Sequence, residues 1–496
     1  QARLPWRIDR PQHTASFLQH KYHVFLICAS GIFVTVFDTS AAIVALPTIA
    51  ADFGSDLTVA QWVIITNNLT IAALLVPAGR LSDIVGRKLI YVSGCVVFAA
   101  GAALCSMSAS MGWLILARSI VGVGCAMTQG TAMAILVGNF APDERGRMLG
   151  LQLGGVGLGA IAGPALGGLI VGTVGWRTLF GIGIVLMLLI GITGQRVLRK
   201  RAKRPENVPK FDLPGAILFS ATFVTGLLTL TLAPRTGLSD PRTLAGIVSF
   251  LGCAWAFIIV ERRHPDPMLD FRLFRNVAFS LGAIAAVVLF TCLSATRFLT
   301  PFYLQAIKGF DATGVGMLML PAAAVTAVAA PFAGRLADRF GVRLFANIGF
   351  GIALVGLVIY GFVETTTPTW LIVAALMTLA LGMSFFGAPN SAAVLNSVES
   401  EAYGVAAGFV NLCRNGGNVI GVAFGTAFVS WTMGAAGYPP SLSEVRDTAE
   451  AGLFSAFTLG MQSVAHALII GSLPVLIVVV SWSVAKARRP RFSQAE

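Results

Sequence analysis

Four charged side chains stand deep inside otherwise apolar stretches of this chain: Asp38, Arg118, Arg297 and Arg414. A carboxyl group in such a setting can take up and release a proton. At the centre of a bilayer a charge costs roughly 2.5–3.5 kcal/mol on insertion scales. That cost is tolerated where the group faces a cavity and works there, or where it forms a buried salt bridge or cap. Asp38 is the one acid well inside an apolar run, so it is the candidate proton carrier; Glu364 falls near the end of a run. Arg118 keeps its proton in practice. It can hold Asp38 ionised, hold a substrate, or order the contact between two segments. Arg297 can bind substrate or snorkel toward an interface. Asn67, Asn68, Gln129, Asn390 and Asn411 are polar residues that can face the same cavity. Histidine can change charge near neutral pH, which makes His466 a further candidate, although a lone histidine on an apolar helix also serves as a structural group.

The segments that must position these residues follow from composition. Of 496 residues, 56% are hydrophobic and 11% charged, with a mean hydropathy of +0.80. Soluble domains carry about 25% charged residues. The apolar runs are long and continuous, unlike the ~10-residue alternating segments of a membrane barrel. The reading is an all-α polytopic membrane protein. A crossing needs about 20 mostly apolar residues. Fourteen stretches qualify, at roughly 22–47, 60–80, 89–108, 112–137, 147–172, 176–196, 213–233, 242–261, 277–305, 313–335, 343–363, 369–393, 405–432 and 464–486.

Basic residues set the orientation. Of the 35 Lys and Arg, 27 fall in the tails and the loops after even-numbered spans, five in the other loops and three inside spans. Both termini are therefore expected in the cytoplasm. The net charge of +13 is then topological, aided by anionic lipid, and implies no nucleic-acid partner. Trp62, Trp113, Trp176, Trp370 and Trp431 fall at the expected outer ends, as in an interfacial belt. The seven cysteines lie in apolar runs without a CxxC, so neither a disulfide framework nor a metal site is expected. The chain starts at Gln1, so a trimmed amino terminus is expected, and the first apolar run should be a retained span.

Two loops repeat each other: GRLSDIVGRK at 79–88 and GRLADRFGVR at 334–343, offset by 255 residues. The same offset carries the start of span 1 onto the start of span 9. Spans 1–6 and 9–14 thus form two six-helix repeats, with spans 7 and 8 inserted between them. Parallel repeats of this kind place a transport site at the midplane between halves. The expected divisions are a cytoplasmic segment 1–21, a first bundle 22–196, linker segments with two extra helices 197–276, a second bundle 277–486 and a tail 487–496. The inserted spans carry no intramembrane charge, so the cavity is not expected to be built from residues 213–261.

In these residues the chain resembles the major facilitator superfamily, in its fourteen-span drug:proton antiporter type. Gly79 through Lys88 matches the family's GxLaDrxGrk loop. Arg118 through Gly124 matches RxxxGxG on span 4. Gly159 through Gly168 (GAIAGPALGG) matches the gxxxGPxxGG antiporter motif on span 5. Asp38 through Pro47 matches the span 1 motif, with Ala where the family has Asn. Arg414-Asn415-Gly416-Gly417 resembles a recurring Arg-x-Gly-Gly on span 13. The resemblance implies a conformational latch of Gly79, Asp83, Gly86, Arg87 and Lys88, with Gly334, Asp338 and Arg339 as counterparts. It implies a tight, bendable contact at Gly159, Gly163, Pro164, Gly167 and Gly168. It gives Arg414 a gating or packing role, with substrate binding as the alternative.

The expected function is a proton-coupled exporter of small hydrophobic or amphipathic compounds working as a monomer, and the resemblance implies a bacterial inner membrane. Export or flipping of a lipid or endogenous metabolite is the alternative. The partners are a small-molecule substrate, protons and membrane lipid; no cofactor and no metal are expected. A membrane-embedded receptor is disfavoured because a static scaffold needs neither the repeat nor the latch loops; a membrane-embedded enzyme would need a cluster such as HExxH or GxSxG, and ATP drive a GxxxxGK[ST], and the sequence has none of these. With three arginines and one acid inside spans, the substrate should be neutral, anionic or zwitterionic rather than dicationic.

Overall fold

In a computed structural model of the chain, residues 13–140, 142–198, 212–236, 240–264, 271–398, 403–438 and 451–488 are described. Among them fourteen helices are long and apolar enough to cross a membrane, and there is no strand. They are α1 (His13–Asp52), α2 (Leu57–Val85), α3 (Arg87–Ser106), α4 (Met111–Asn139), α5 (Pro142–Val174), α6 (Trp176–Val197), α7 (Leu213–Thr236), α8 (Pro241–Arg263), α9 (Val277–Phe302), α10 (Ala312–Phe340), α11 (Val342–Tyr360), α12 (Thr369–Leu395), α13 (Tyr403–Ala435) and α14 (Ala451–Arg488). In lipid every backbone group must be satisfied within its segment, which leaves the helix as the spanning form of an apolar run.

Turns are short where small residues permit. Gly86, at φ +122°, is the single residue between α2 and α3. Gly341, at φ +107° and 255 residues later, does the same between α10 and α11. Only glycine adopts such angles without strain. Caps start several helices: Ser110 accepts from the Trp113 amide at α4, Asn276 from Ala278 at α9 and Asp311 from Gly314 at α10.

The two halves pack alike. α3 lies on α4, α2 on α4, α1 on α5 and α3 on α6; α11 lies on α12, α10 on α12, α9 on α13 and α11 on α14. The contacts between halves are also counterparts, since α5 packs on α10 and α13 on α2. The inserted pair, α7 and α8, packs together, and α7 rests on both α2 and α13. Phe219 and Phe257 bury there against Ala72 and Leu412.

Two boundaries differ from expectation. α1 starts at His13 and α14 at Ala451, before the expected starts near 22 and 464. Hydropathy finds what lipid covers and not where a helix ends. The added turns of α14 mix Gly452, Ser455, Thr458 and Gly460 with apolar residues, which lowers their hydropathy without breaking the helix.

Candidate functional site

The basic end of the bundle carries Gly86, Leu198, His264 and Gly341. About midway along α1, Asp38 meets Arg118 of α4. Arg118 Nη1 donates to Asp38 Oδ2 at 2.6 Å, with the arginine 0% and the aspartate 3% exposed. Arg118 Nε donates to the Val63 carbonyl at 3.4 Å, and its guanidinium stands 5.5 Å from the Phe180 ring centroid. Arg118 Nη2 is buried without a hydrogen-bond partner among the described residues. Of the readings open for Arg118, this geometry places it on Asp38 and at the α1–α4 contact. Breaking a buried pair by removing one member typically costs 3–5 kcal/mol, because a charge is left uncompensated.

Polar side chains continue from this pair. Asn67 Nδ2 donates to Thr39 Oγ1 at 3.2 Å and Gln129 Nε2 to Thr35 Oγ1 at 3.1 Å. Gln129 then reaches the other half: Arg414 Nη2 of α13 donates to Gln129 Oε1 at 3.2 Å. Arg297 of α9 also crosses, donating to the Ala160 carbonyl at 3.2 Å and to Ser40 Oγ at 3.5 Å. Among the described residues neither Arg297 nor Arg414 has an ion-pair partner. Both hold neutral acceptors of the opposite half.

A cavity of about 40 Å³ lies between the halves, from this level toward the basic end. Arg414, Gln129, Gln152, Ser391 and Asn411 supply its polar wall. Ile32, Met133, Val156, Leu395 and Val410 supply the apolar one. Among the described residues none of its lining comes from α7 or α8. Asn67 and Asn68 are buried on α2, and Asn390 Nδ2 donates to the Gly282 carbonyl of α9 at 3.0 Å. His466 stands apart, exposed on α14 with its ring 6.5 Å from that of Phe362. Gln152 and Ser391 are the polar wall residues that the sequence does not single out: Gln152 follows the charged head of α5, and a lone serine in an apolar span carries no distinctive signal.

Toward the opposite end the halves meet closely. Thr48 Oγ1 donates to Gln305 Oε1 at 3.4 Å, and Gln305 Nε2 to the Val44 carbonyl at 3.3 Å. α5 turns two faces of small residues to its neighbours. A Cβ at Gly159 would stand 2.7 Å from the Phe33 carbonyl, and Gly163 and Gly167 press on Ser40 and Ala41 of α1. A Cβ at Gly168 would stand 2.6 Å from the Ala312 carbonyl and 2.8 Å from Gly316 Cα, both on α10. The Pro164 carbonyl also faces Gly316. Gly417, Gly421 and Gly425 form the matching stripe of α13 against α9. Their four-residue spacing is legible in the sequence once α5 is taken as the template.

At the basic end, Arg87 donates through Nε and Nη2 to Asp83 Oδ1 at 3.0 and 2.9 Å and through Nη1 to the Ala134 carbonyl of α4 at 2.6 Å. Lys88 Nζ donates to the Gln195 carbonyl of α6 at 2.5 Å. Gly79 lies against Gly130 of α4. The first loop thus ties α2 and α3 to α4 and α6. In the second loop Gly334 faces open space and the Arg339 guanidinium stands 5.3 Å from the Phe340 ring centroid; the Asp338 side chain lies outside the described residues.

The sequence model described as Major Facilitator Superfamily matches residues 28–422. The chain belongs to this superfamily. It is a polytopic membrane transporter and not an enzyme. The riboflavin transporter RibZ of Clostridioides difficile (strain 630) is 29% identical over 419 residues, 84% of this chain and 90% of that protein. The multidrug resistance protein Stp of Mycobacterium tuberculosis (strain CDC 1551 / Oshkosh) is 28% identical, over 81% of this chain and 74% of its own. A solved bacterial homologue of the human lysosomal transporter Spinster, inward-facing and unoccupied, superposes with a TM-score of 0.66 at 17% identity, over 93% of this chain and 97% of that one. At that identity the likeness concerns the fold. Among superfamily features, the paired repeat with a cavity between halves is present here.

Proposed function

We propose that this transporter exports small hydrophobic or amphipathic compounds in exchange for protons entering the cell, by alternating access across a bacterial inner membrane with both termini cytoplasmic. The observation that carries the reading is the buried Asp38–Arg118 pair, which meets at 2.6 Å and connects through α1 and α4 to the inter-half cavity. Protonating Asp38 removes one of the two charges and loosens Arg118. The α1–α4 contact, on whose other face Gln129 meets Arg414, then changes its energy with the proton. A proton crossing 100 mV releases about 2.3 kcal/mol, enough for a sizeable substrate gradient without ATP. The bundles 22–196 and 277–486 act as the rocking bodies and 197–276 as the link between them. Arg297 and Arg414 are the ties that the movement must exchange. Likeness to Stp supports a drug substrate. Likeness to RibZ, named for riboflavin, supports a second reading in which the substrate is a metabolite rather than a drug.

The test is uptake into proteoliposomes with an imposed pH gradient, over labelled neutral, anionic and cationic compounds with riboflavin among them. At least one compound is expected to accumulate with the gradient and not without it. Equal movement with and without the gradient contradicts proton coupling.

The loop at 79–88 should act on rate and not on recognition. Asp83 and Arg87 are about one-third exposed, where an i,i+4 ion pair contributes about 0.3–0.5 kcal/mol. Asp83→Ala also frees Arg87 from its place against α4. Transport is expected to slow roughly two- to threefold with unchanged equilibrium binding. A collapse of binding with an unchanged cycling rate removes the latch role.

A further inference from the structure

The cavity wall carries two groups that no neighbour satisfies in full. Arg414 presents a guanidinium with five N–H donors, and its one hydrogen bond among the described residues goes to the neutral carbonyl of Gln129. Gln152, from the facing helix α5, is 4% exposed, and its Oε1 is buried without a hydrogen-bond partner among the described residues. A buried acceptor left unmade carries a desolvation penalty, which a donor from a ligand removes. A guanidinium holding a neutral acceptor gains when a carboxylate replaces it, because charge-assisted bonds are roughly twice as strong. Among the described residues no carboxylate lines the cavity, so a cationic ligand finds no counter-charge there. Between the polar groups lie Ile32, Met133, Val156, Leu395 and Val410, a wall suited to an apolar body.

We infer that the inter-half cavity recognises an amphipathic organic monoanion that also bears an N–H or O–H donor, with Arg414 binding the anionic group and Gln152 Oε1 accepting from the donor. This rests on the export reading and gives it a substrate class. It also couples binding to movement. An anion competes with the Gln129 carbonyl for the Arg414 guanidinium, and that bond is a tie between the halves. The ligand's acid group thus releases a contact that holds the cavity narrow.

Four probes of one skeleton separate the terms: indole-3-acetate, with anion and N–H; indole-3-acetamide, neutral; tryptamine, cationic; and 1-methylindole-3-acetate, without the donor. Their binding to the detergent-purified full chain is measured by calorimetry. Indole-3-acetate is expected to bind about tenfold more tightly than the amide and more tightly still than tryptamine. Arg414→Gln should bring anion and amide to equal affinity, and Arg414→Lys should restore part of the difference, a pattern that misfolding does not produce. Gln152→Leu should bring indole-3-acetate down to the affinity of its 1-methyl analogue and leave that analogue unchanged. Tryptamine binding as tight as that of indole-3-acetate overturns the inference. So does an anion preference that survives Arg414→Gln, an N–H preference that survives Gln152→Leu, or no binding of the anion to folded wild type at millimolar concentration. Because binding is read without a gradient, pH-driven transport that persists alongside such a result sinks this inference and not the export reading. Selective anion binding without pH-driven transport does the reverse.

Discussion

Replacing Asp38 by asparagine is expected to reduce pH-driven accumulation to the level reached without a gradient, while exchange of labelled for unlabelled substrate continues. With one proton per substrate, a pH difference of one unit is 1.36 kcal/mol and sustains about a tenfold concentration ratio. Asparagine matches the size of aspartate and keeps an oxygen for Arg118 Nη1, so the 2.6 Å contact survives as an ordinary hydrogen bond. It removes the proton that loads and unloads. It also leaves the Arg118 charge without its counter-charge, at a cost within the 3–5 kcal/mol of a broken buried pair. The variant should therefore fold but melt at lower temperature. Asp38→Leu should melt lower still, since the hydrogen bond goes as well. Vesicle accumulation and a thermal melt of the same preparation check both halves. Accumulation at the wild-type ratio by Asp38→Asn removes Asp38 from proton coupling.

The second large effect is expected at Gly168. Its missing side chain lets α5 lie against Ala312 and Gly316 of α10. Gly168→Val places a Cβ 2.6 Å from a backbone oxygen, and backbone cannot rotate out of the way. Overpacking costs about 1–3 kcal/mol, which shifts a two-state balance roughly five- to 150-fold. The halves should separate at this end. Transport should fall by one to two orders of magnitude while binding from the basic end persists. In a background with Thr313→Cys, thiol labelling at position 313 should rise in the Gly168→Val variant, because Gly172 of α5 covers that residue. Wild-type transport with unchanged labelling contradicts the role of this contact. The same substitution at Gly157, where a Cβ meets nothing within 4 Å, should be tolerated and serves as the control.

Much of the fold is legible because the bilayer imposes it. Apolar runs of sufficient length become helices, and the 255-residue offset between two loops pairs them into repeats. The turn geometry follows too, since Gly86 and Gly341 are counterparts and share a positive φ. Helix ends are less legible. α1 extends past its apolar core through polar residues, whereas the head of α14 is apolar but interrupted by Gly452, Ser455, Thr458, Gly460 and Gln462, which hides its continuity with the core. Within the site, residue type singles out Asp38, Arg118, Arg297 and Arg414, because charge in an apolar run is conspicuous. Their partners are another matter. Asp38 and Arg118 are 80 positions apart, and Arg414 and Gln129 are 285 apart. Such pairs depend on how helices rotate about their axes, and a span apolar on nearly all sides does not reveal its rotation. His466 illustrates this: α14 is apolar around most of its circumference, and the histidine faces outward. The charge count also changes meaning once pairing is known. Arg118 is neutralised by Asp38, which leaves Arg297 and Arg414 as the inter-half cations and strengthens the expectation that dications are poor substrates.

The most direct measurement is proton flux evoked by a substrate gradient. Proteoliposomes are loaded with a transported compound and a trapped pH-sensitive dye, then diluted into compound-free buffer at equal pH. Outward movement of the compound through wild type should draw protons in and acidify the lumen, and Asp38→Asn should abolish the acidification. Compound leaving through wild-type protein at constant lumenal pH, with the membrane potential clamped, would contradict proton exchange outright.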